Sequence, residues 1–561
     1  MTITKPASKP FSVDALSDAT TAWFRPPDTS KLHPSVTRFY NAHKPALHHE
    51  RMSVILRDFP DGNFITYVAQ HGINISDPRY ACPPFNVANS RTVKTYSEAM
   101  LRITTNNVSS CRYFTPPEDL RSAHIHQVAC NYKPAHEKYR DIHNLSAPRG
   151  NNINDCTRFV GFRWCRMDDL ASRIDSNSWG CRFDVTDYYR HFPVSPEDWH
   201  LLACKLPIVK DGPDVELWDT RMPFGFRPAV EVAHRMTTAV VYAINQRGIT
   251  NVFATLDDFF KLDSGCGTMP PEDAFDPTRA VIEEDFGFPP NMKPHKTHSL
   301  KQIVEWDGWV WDLLNATVAM EPVRRAALLD ELRNLRGKHR PTAQAAMHIC
   351  GKLVWASTVV WGGRTFSQAW LDAAARAASM QPFHYLAINS MMRQALDWWL
   401  ECIDANDGKR VVLGACAPDI TISTDATGDG GIGIYVDRDN HIGLSGDEVR
   451  DALPDVAPPA DARIHIHESF ALYLACRLYG HLMRDRYVHF ITDNPTTAHM
   501  AKFLSHRQPA LHAIAKSVFM LADKYNFRFH DIALVPGIQN QLADALSRQQ
   551  YKRFHNLLDS I

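Results

Sequence analysis

Asp184, Asp257 and Asp258 lie where apolar segments end or turn, and Asp425, Glu468, Asp493 and Asp544 are spread over the last part of the 561-residue chain. Converging carboxylates supply the hard oxygen ligands that small divalent cations require. Two such ions, a few ångström apart, serve phosphoryl transfer. One activates the attacking hydroxyl or water, and the other holds the phosphate and the leaving group. Magnesium or manganese, two ions per site, is therefore the expected cofactor for both acidic sets. Taken alone, an Asp-Asp pair is as well explained by a turn, and an acid near a helix start by the helix dipole. The meaning of these acids rests on the segments that carry them.

In the first set, CRFDVTD carries a strand-like run that Asp184 ends. NVFATLDDFFKLD is apolar on both sides of its acidic pair, which predicts a tight hairpin with the carboxylates at the tip. Between them, Ala229 to Gln246 has helical periodicity. Ala229, Ala233, Met236, Val240 and Ile244 fall on one face, and Gly248 stops the helix. FVGFRWCRMDD carries a further strand-like run, and residues 33–155 show a mixed pattern with short apolar runs. Residues 321–412 are rich in Ala, Leu, Arg and Met at helical spacing and predict an all-helical connector. A new pattern starts near Pro418. DITISTD and GGIGIYV predict two strands, HESFALYLACRLYGHLM a helix, RYVHFITDN and NFRFHDIALVPG strands, and NQLADALSRQQ a closing helix. Strands alternating with helices indicate a separate α/β domain. Asp425 and Asp493 then end strands, Glu468 lies near a helix start, and Asp544 lies in the last helix.

Hydrophobic residues make up 44% and charged residues 22% of the chain, an ordinary globular composition. The formal net charge is -1, from 61 basic and 62 acidic side chains. A nucleic-acid partner then requires a local basic groove rather than a globally basic protein. The 12 cysteines form no C-x-x-C pair, so neither a zinc motif nor a disulfide framework is visible. Residues 1–32 are rich in Pro, Ser and Thr and are expected to be disordered. No signal peptide or membrane span is expected, and the location is expected to be intracellular, in cytoplasm or nucleus.

Six segments occur in the order found in reverse transcriptases. YKPAHEKYRDIHNLSAPRGNNIND resembles the fingers motif, FDVTDYYRHFPV the strand presenting the first catalytic Asp, and RMPFGF with its helix the template and nucleotide segment. TLDDFF resembles the paired-Asp hairpin, FGFPPNMKPHKTH the following lysine motif, and VEWDGWVWD the hairpin that grips the primer, with Gly308 at its turn. STDATGDGGIG, IHESFALYLA, FITDN and VPGIQNQLADALSR resemble the four-carboxylate ribonuclease H of retroelements. PVSPEDWHLLACKL, HNLSAPRGNNIND, ILRDFPDGNFITYVA and NVANSRTV resemble in particular the polymerase of DIRS-like retrotransposons, the tyrosine-recombinase group. The resemblance covers roughly residues 33–550.

The resemblance implies an α+β right-hand polymerase with fingers, palm and helical thumb or connection, followed by an α/β ribonuclease H-like domain. The expected divisions are fingers and palm at 33–320, thumb or connection at 321–412, ribonuclease H at 413–550 and a tail at 551–561. It further implies that Asp184 and Asp257 are the main metal ligands of the first site, with Asp258 a neighbouring carboxylate. Lys133 and Arg140 would grip the triphosphate. Tyr189 would exclude a 2′-hydroxyl, Phe224 and Gly225 would shape the nucleotide pocket, and Lys296 would protonate pyrophosphate. Asp425, Glu468, Asp493 and Asp544 would hold the metals of the nuclease. Implied partners are an RNA template, a DNA primer and product, an RNA–DNA hybrid, deoxynucleoside triphosphates and an element-encoded tyrosine recombinase, with no membrane. Three positions depart from the family: Thr255 replaces an aromatic, Asn144 an aspartate, and Tyr188 a small residue beside Tyr189. A histidine assisting product release is not evident before Asp544, and His530 is expected on a strand. Two other readings stay open. One is a decayed or domesticated retroelement protein that only binds nucleic acid. The other is a polymerase of another type, against which the nuclease pattern and Tyr189 argue.

Overall fold

A computed structural model describes residues 26–44, 47–75, 82–133, 138–157, 167–174, 178–263, 276–293, 296–338, 340–406, 410–411 and 417–560. The chain divides between Asp307 and Gly308 into two compact units, the second also taking residues 174–176. Asp307 and Gly308 have left-handed φ values of 52° and 81°, as a two-residue I′ turn requires.

The first unit contains a four-stranded antiparallel sheet in the order His298–Lys301, Trp179–Asp184, Asp258–Asp263, Val252–Thr255. Strand alternation decides its two faces. Cys181, Phe183 and Phe259 point into the core, where the Phe183 and Phe259 rings lie 5.1 Å apart. The residues between them, Arg182 and Asp184, fall on the opposite face with Asp258. The helix Ala229–Gln246 forms as its periodicity predicts. Ala229, Ala233, Met236, Val240 and Ile244 are buried in the same core as Phe183 and Phe259. Gly248 follows at φ 76°, a conformation that other residues adopt only with strain.

A five-stranded sheet joins Phe85–Asn86, His124–Ile125, Ala203–Pro207, Asp214–Asp219 and Tyr113–Phe114 in that order. The hairpin Gln127–Lys133/Lys138–Asn144 follows directly from it in sequence. Val128, Cys130 and His143 are buried on one of its faces, while Lys133 and Arg140 alternate onto the other.

In the second unit, Trp309–Asp312, Thr317–Met320 and Arg410–Val411 form antiparallel pairs. The predicted connector is helical: Pro322–Arg336, Ala343–Ala356, Gly363–Ala377 and Ser390–Asn406. It shares a core with the segment after it, since Trp361, Phe366 and Trp398 pack against Val518 and Phe519. The C-terminal sheet has the order His441–Leu444, Ile432–Tyr435, Ile420–Ala426, Tyr487–Thr492, Arg528–Leu534. Its first three strands are antiparallel and its last two join in parallel, with helices in the crossovers.

Some expectations are corrected. Residues 551–561 are not a tail: Tyr551–Leu558 is a helix that buries Phe554 and Leu558 against Leu546. Residues 26–32 are ordered around a short 3-10 turn at Thr29–Lys31, and the Asp28 amide donates to Glu197 at 2.8 Å. Residues 1–25 lie outside the described residues. So do residues 159–166, which carry the strand-like run of FVGFRWCRMDD, while its last three residues begin the helical turn Met167–Ala171. No helix among the described residues is long and apolar enough to cross a membrane.

Candidate active sites

Asp184 ends its strand directly opposite Asp258, the first residue of the adjacent strand. Directly opposed residues of an antiparallel pair share a face, so both carboxylates project from the side away from the Phe183–Phe259 core. Asp257 lies in the two-residue turn between Val252–Thr255 and Asp258–Asp263, and its carbonyl accepts from the Val185 amide at 2.8 Å. Leu256 beside it has a left-handed φ of 56°, a strained conformation for a leucine. The Thr237 hydroxyl, on the core helix, donates to the Leu256 carbonyl at 2.9 Å and holds that peptide. Thr255, the departure next to it, pairs across the hairpin with Asp258, and its hydroxyl is buried without a partner.

The three aspartates have different surroundings. Asp184 accepts from Lys296 Nζ at 2.7 Å and from Asn291 Nδ2 at 2.9 Å. Asp258 is held by two parallel bonds from Arg182, Nε and Nη2, each 2.8 Å. Among the described residues no cation bonds Asp257, and its carboxyl is pushed up to about 6 by burial and by the charges of Asp184 and Asp258. Burial lifts the Asp258 carboxyl to about 6 as well, against the pull of Arg182. Asp257 is thus the acid of the three with no cation already bonded to it. Both Asp258 oxygens are committed to Arg182, which argues against Asp258 as a direct ligand. Asp258→Asn is accordingly expected to weaken divalent-metal binding at this site by no more than about 10-fold, roughly 1.4 kcal/mol. A loss as deep as that of Asp257→Asn in the same metal titration would contradict this assignment.

Around these acids the residues expected to bind a nucleotide converge from separate segments. The Arg140 guanidinium lies over the Phe224 ring, 5.0 Å from its centroid. Tyr189 meets Phe224 edge to face at 5.4 Å. Burial pushes the Tyr189 phenol up, and the Asp257 carboxylate adds to this while Arg140 opposes it. Arg140, Tyr189, Phe224 and Asp257 are thus neighbours. Gly225 has φ 105°, and a Cβ there would lie 1.9 Å from the His143 carbonyl, so only glycine fits. Lys133 shares Arg140's face of the hairpin but sits nearer its tip, paired with Lys138. Tyr188, the bulky departure, turns into the core instead of the pocket. Its hydroxyl bonds to Thr237 at 2.9 Å, and its ring packs on Phe192 and Phe288. Asn144 donates to Gln127 across the hairpin at 2.8 Å.

The second set is arranged more tightly. Asp425 lies near the end of the Ile420–Ala426 strand, and Asp493 immediately follows the parallel strand Tyr487–Thr492, so the two share one sheet edge. Glu468 is on the second turn of the helix Ile464–Tyr479. Donor atoms of Asp425, Glu468 and Asp493 all lie within 4.8 Å of one another. Burial, then Asp425 and Asp493, push the Glu468 carboxyl up to about 9, and its Oε2 is buried without a partner. Asp425 is pushed up to about 6 by burial and by Asp493 and Asp544, although Ser547 donates to it at 2.5 Å. An unpaired carboxylate oxygen inside a cluster of mutually repelling acids fits a hard divalent cation.

Asp544 departs from the expected four-acid arrangement and lies outside that group of three. Arg548 Nε and Arg553 Nη1 each donate to it at 2.7 Å. Partial burial raises its carboxyl, but the two arginines outweigh this and hold it below the usual range. His530 is on the Arg528–Leu534 strand, as expected. Sequence reasoning missed Arg182, Asn291, Ser547 and Arg553. Strand alternation points to Arg182, and Asn291 and Ser547 lie within the quoted motifs. Arg553 lies beyond the segment read as structured.

No protein-family model matches the chain. No curated protein matches it either. The chain is similar in structure to foamy viral protease-reverse transcriptase. One such structure, a dRH form in complex with double-stranded DNA, gives a TM-score of 0.47 at 12% identity, covering 95% of this chain and 84% of the other. A second, in complex with an RNA/DNA hybrid, gives 0.46 at 11% identity, over 90% of this chain and 63% of the other. A third, with double-stranded DNA, gives 0.46 at 10% identity, over 95% and 99%.

Proposed function

We propose that this chain is an RNA-directed DNA polymerase with a ribonuclease H activity on RNA–DNA hybrids. The observation that carries the reading is the convergence of Arg140, Tyr189 and Phe224 beside Asp257, which itself adjoins Asp184. These residues come from four separated segments, each matching a reverse-transcriptase motif in order. Asp184 and Asp257 would hold a divalent ion, which would supply activation of the attacking hydroxyl and charge neutralisation on the triphosphate. Arg140 binds phosphate oxygens by charge-assisted hydrogen bonds, with Lys133 as a second cation on the same face. Phe224 fixes the Arg140 guanidinium from below. Tyr189 closes the pocket where a 2′-hydroxyl would sit. Lys296, 2.7 Å from Asp184, pairs with that carboxylate and is the cation beside the site that would give a proton to pyrophosphate.

In the second site, Asp425, Glu468 and Asp493 would hold magnesium or manganese, which would supply an activated water for hydrolysis of the RNA strand. Asp544, bonded to Arg548 and Arg553, would have to leave them to join that set. The DIRS-like form of the fingers motif and the PVSPEDWHLLACKL segment favour a retrotransposon of the tyrosine-recombinase group as the source of the template. The intact carboxylates favour an active enzyme over a decayed, binding-only copy. The test is extension of a DNA primer on an RNA template with deoxynucleotides. No extension by the wild type would leave the binding-only reading.

The steric part of this reading has its own test. Tyr189→Ala is expected to raise incorporation of ribonucleotides relative to deoxynucleotides by roughly 10–100-fold, the discrimination a shaped pocket provides. Unchanged discrimination in single-nucleotide extension would make Tyr189 a packing residue only.

A further inference from the structure

The sequence shows no zinc motif, yet three metal-binding side chains meet in the interior of the first unit. His126 just precedes the Gln127–Lys133 strand, His143 lies on the partner strand Lys138–Asn144, and Cys204 lies on Ala203–Pro207 of the five-stranded sheet. One donor atom of each lies within 4.8 Å of the others. His126 and Cys204 are 0% exposed and His143 1%. We propose that His126, His143 and Cys204 form a structural site for zinc or a similar borderline-soft divalent ion. The site lies on the opposite face of the hairpin from Arg140, and the inference stands whether or not the chain polymerises.

His126 Nε2 and His143 Nδ1 hydrogen-bond to each other at 2.7 Å, so an ion would take the place of the proton between them. A tetrahedral zinc with Zn–N of ~2.0–2.1 Å sets its nitrogens ~3.3 Å apart, so the rings need separate by only about 0.6 Å. The remaining nitrogen of His143 already has the partners that support a metal-bound imidazole. Tyr113 Oη is 3.0 Å away, Asp141 Oδ2 3.7 Å and Asp219 Oδ2 3.8 Å. A metal-bound histidine typically passes its second N–H to a carboxylate or hydroxyl of this kind.

Asp141 and Asp219 line the His143 side of the site, where Arg190 bonds Asp219 at 2.7 Å. Val128, Cys130, Leu206 and Leu217 surround the donors with apolar contacts, which strengthen metal–ligand electrostatics by excluding water. Binding would release the Cys204 thiol proton to solvent, since the thiolate is the ligand. The ion would tie the hairpin to the five-stranded sheet. The His143 amide donates to the Phe224 carbonyl at 2.8 Å, so the ion would also brace the peptide behind Phe224 and Gly225.

The test uses the full chain. Wild type loaded with Zn²⁺ and then desalted is expected to retain roughly one ion per chain. Loading with Co²⁺ instead is expected to give the near-ultraviolet absorption of a thiolate–cobalt bond. Cys204→Ser and His126→Asn are each expected to lose the zinc and the band, while Cys476→Ser, at a buried cysteine of the other unit, keeps both. Zinc should raise the wild-type thermal midpoint by more than it raises that of Cys204→Ser. A wild type that retains no zinc and shows no cobalt–thiolate band overturns the proposal even if the Cys204 and His126 variants fail to fold. A band that survives Cys204→Ser overturns it as well.

Discussion

Asp257→Asn is expected to lower DNA synthesis on an RNA template by about 10³-fold or more, the scale of losing a group that stabilises charge only in the transition state. The size follows from its surroundings. Asp184 already has Lys296 and Asn291, and Asp258 has Arg182, so Asp257 is the carboxylate left to meet a metal ion. Its carboxyl, raised to about 6, ionises most readily when a cation arrives, so metal-dependent synthesis should rise with pH through that range. The fall should appear in kcat, with little change in the dissociation constant for primer–template. Hybrid cleavage by the same variant should be unaltered, because Asp425, Glu468 and Asp493 belong to the other unit. Equal loss of both activities would indicate unfolding and would remove the argument for two separate sites.

Glu468→Gln is expected to abolish hybrid cleavage and, in the absence of metal, to stabilise the protein. In the folded state Glu468 titrates near 9 rather than at its ordinary 4.5, so the folded state holds this proton more tightly than the unfolded state does. Its contribution to stability is then full below about pH 4.5 and is lost progressively as pH rises toward 9. Glutamine removes that loss. Since a buried polar group without compensation costs roughly 1–3 kcal/mol, the gain at about pH 8 should be of that order. Near pH 4.5 the two proteins should differ little. With saturating magnesium the order should reverse, because the ion stabilises only the chain that binds it. Urea unfolding with chelator and with magnesium, at both pH values, separates these outcomes. A wild type more stable than Glu468→Gln in chelator at about pH 8 would show that the three acids do not repel one another as described.

Much of this architecture was legible from periodicity. The helix Ala229–Gln246 was readable to the residue because a continuous apolar face runs up to a glycine with left-handed φ. The hairpin bearing Asp257 was readable because apolar strands flank one acidic pair. The carboxylates of the second site could be named because each ends a strand or sits in a helix of clear pattern. The partners of those acids could not. Arg553 holds Asp544 from a helix that follows the recognised motifs, where only Phe554 and Leu558, four residues apart, hint at an amphipathic turn. Arg182 neutralises Asp258 diagonally across a strand pair whose register is set in three dimensions. His126, His143 and Cys204 are brought together by sheet topology alone, so no local spacing announces them.

The most direct measurement follows both strands of one substrate, a labelled DNA primer annealed to an end-labelled RNA template, incubated with the full chain, deoxynucleotides and magnesium. The expected result is that the primer is extended and the copied template is then cut, with Asp257→Asn abolishing extension but sparing cuts under the annealed primer, and Glu468→Gln sparing extension but abolishing cuts. Only cuts in the newly copied stretch fall with Asp257→Asn, because that hybrid is made by synthesis, whereas the primer-annealed stretch is a hybrid from the start and stays cleavable. A wild type that binds the substrate but leaves both strands unchanged would contradict the account.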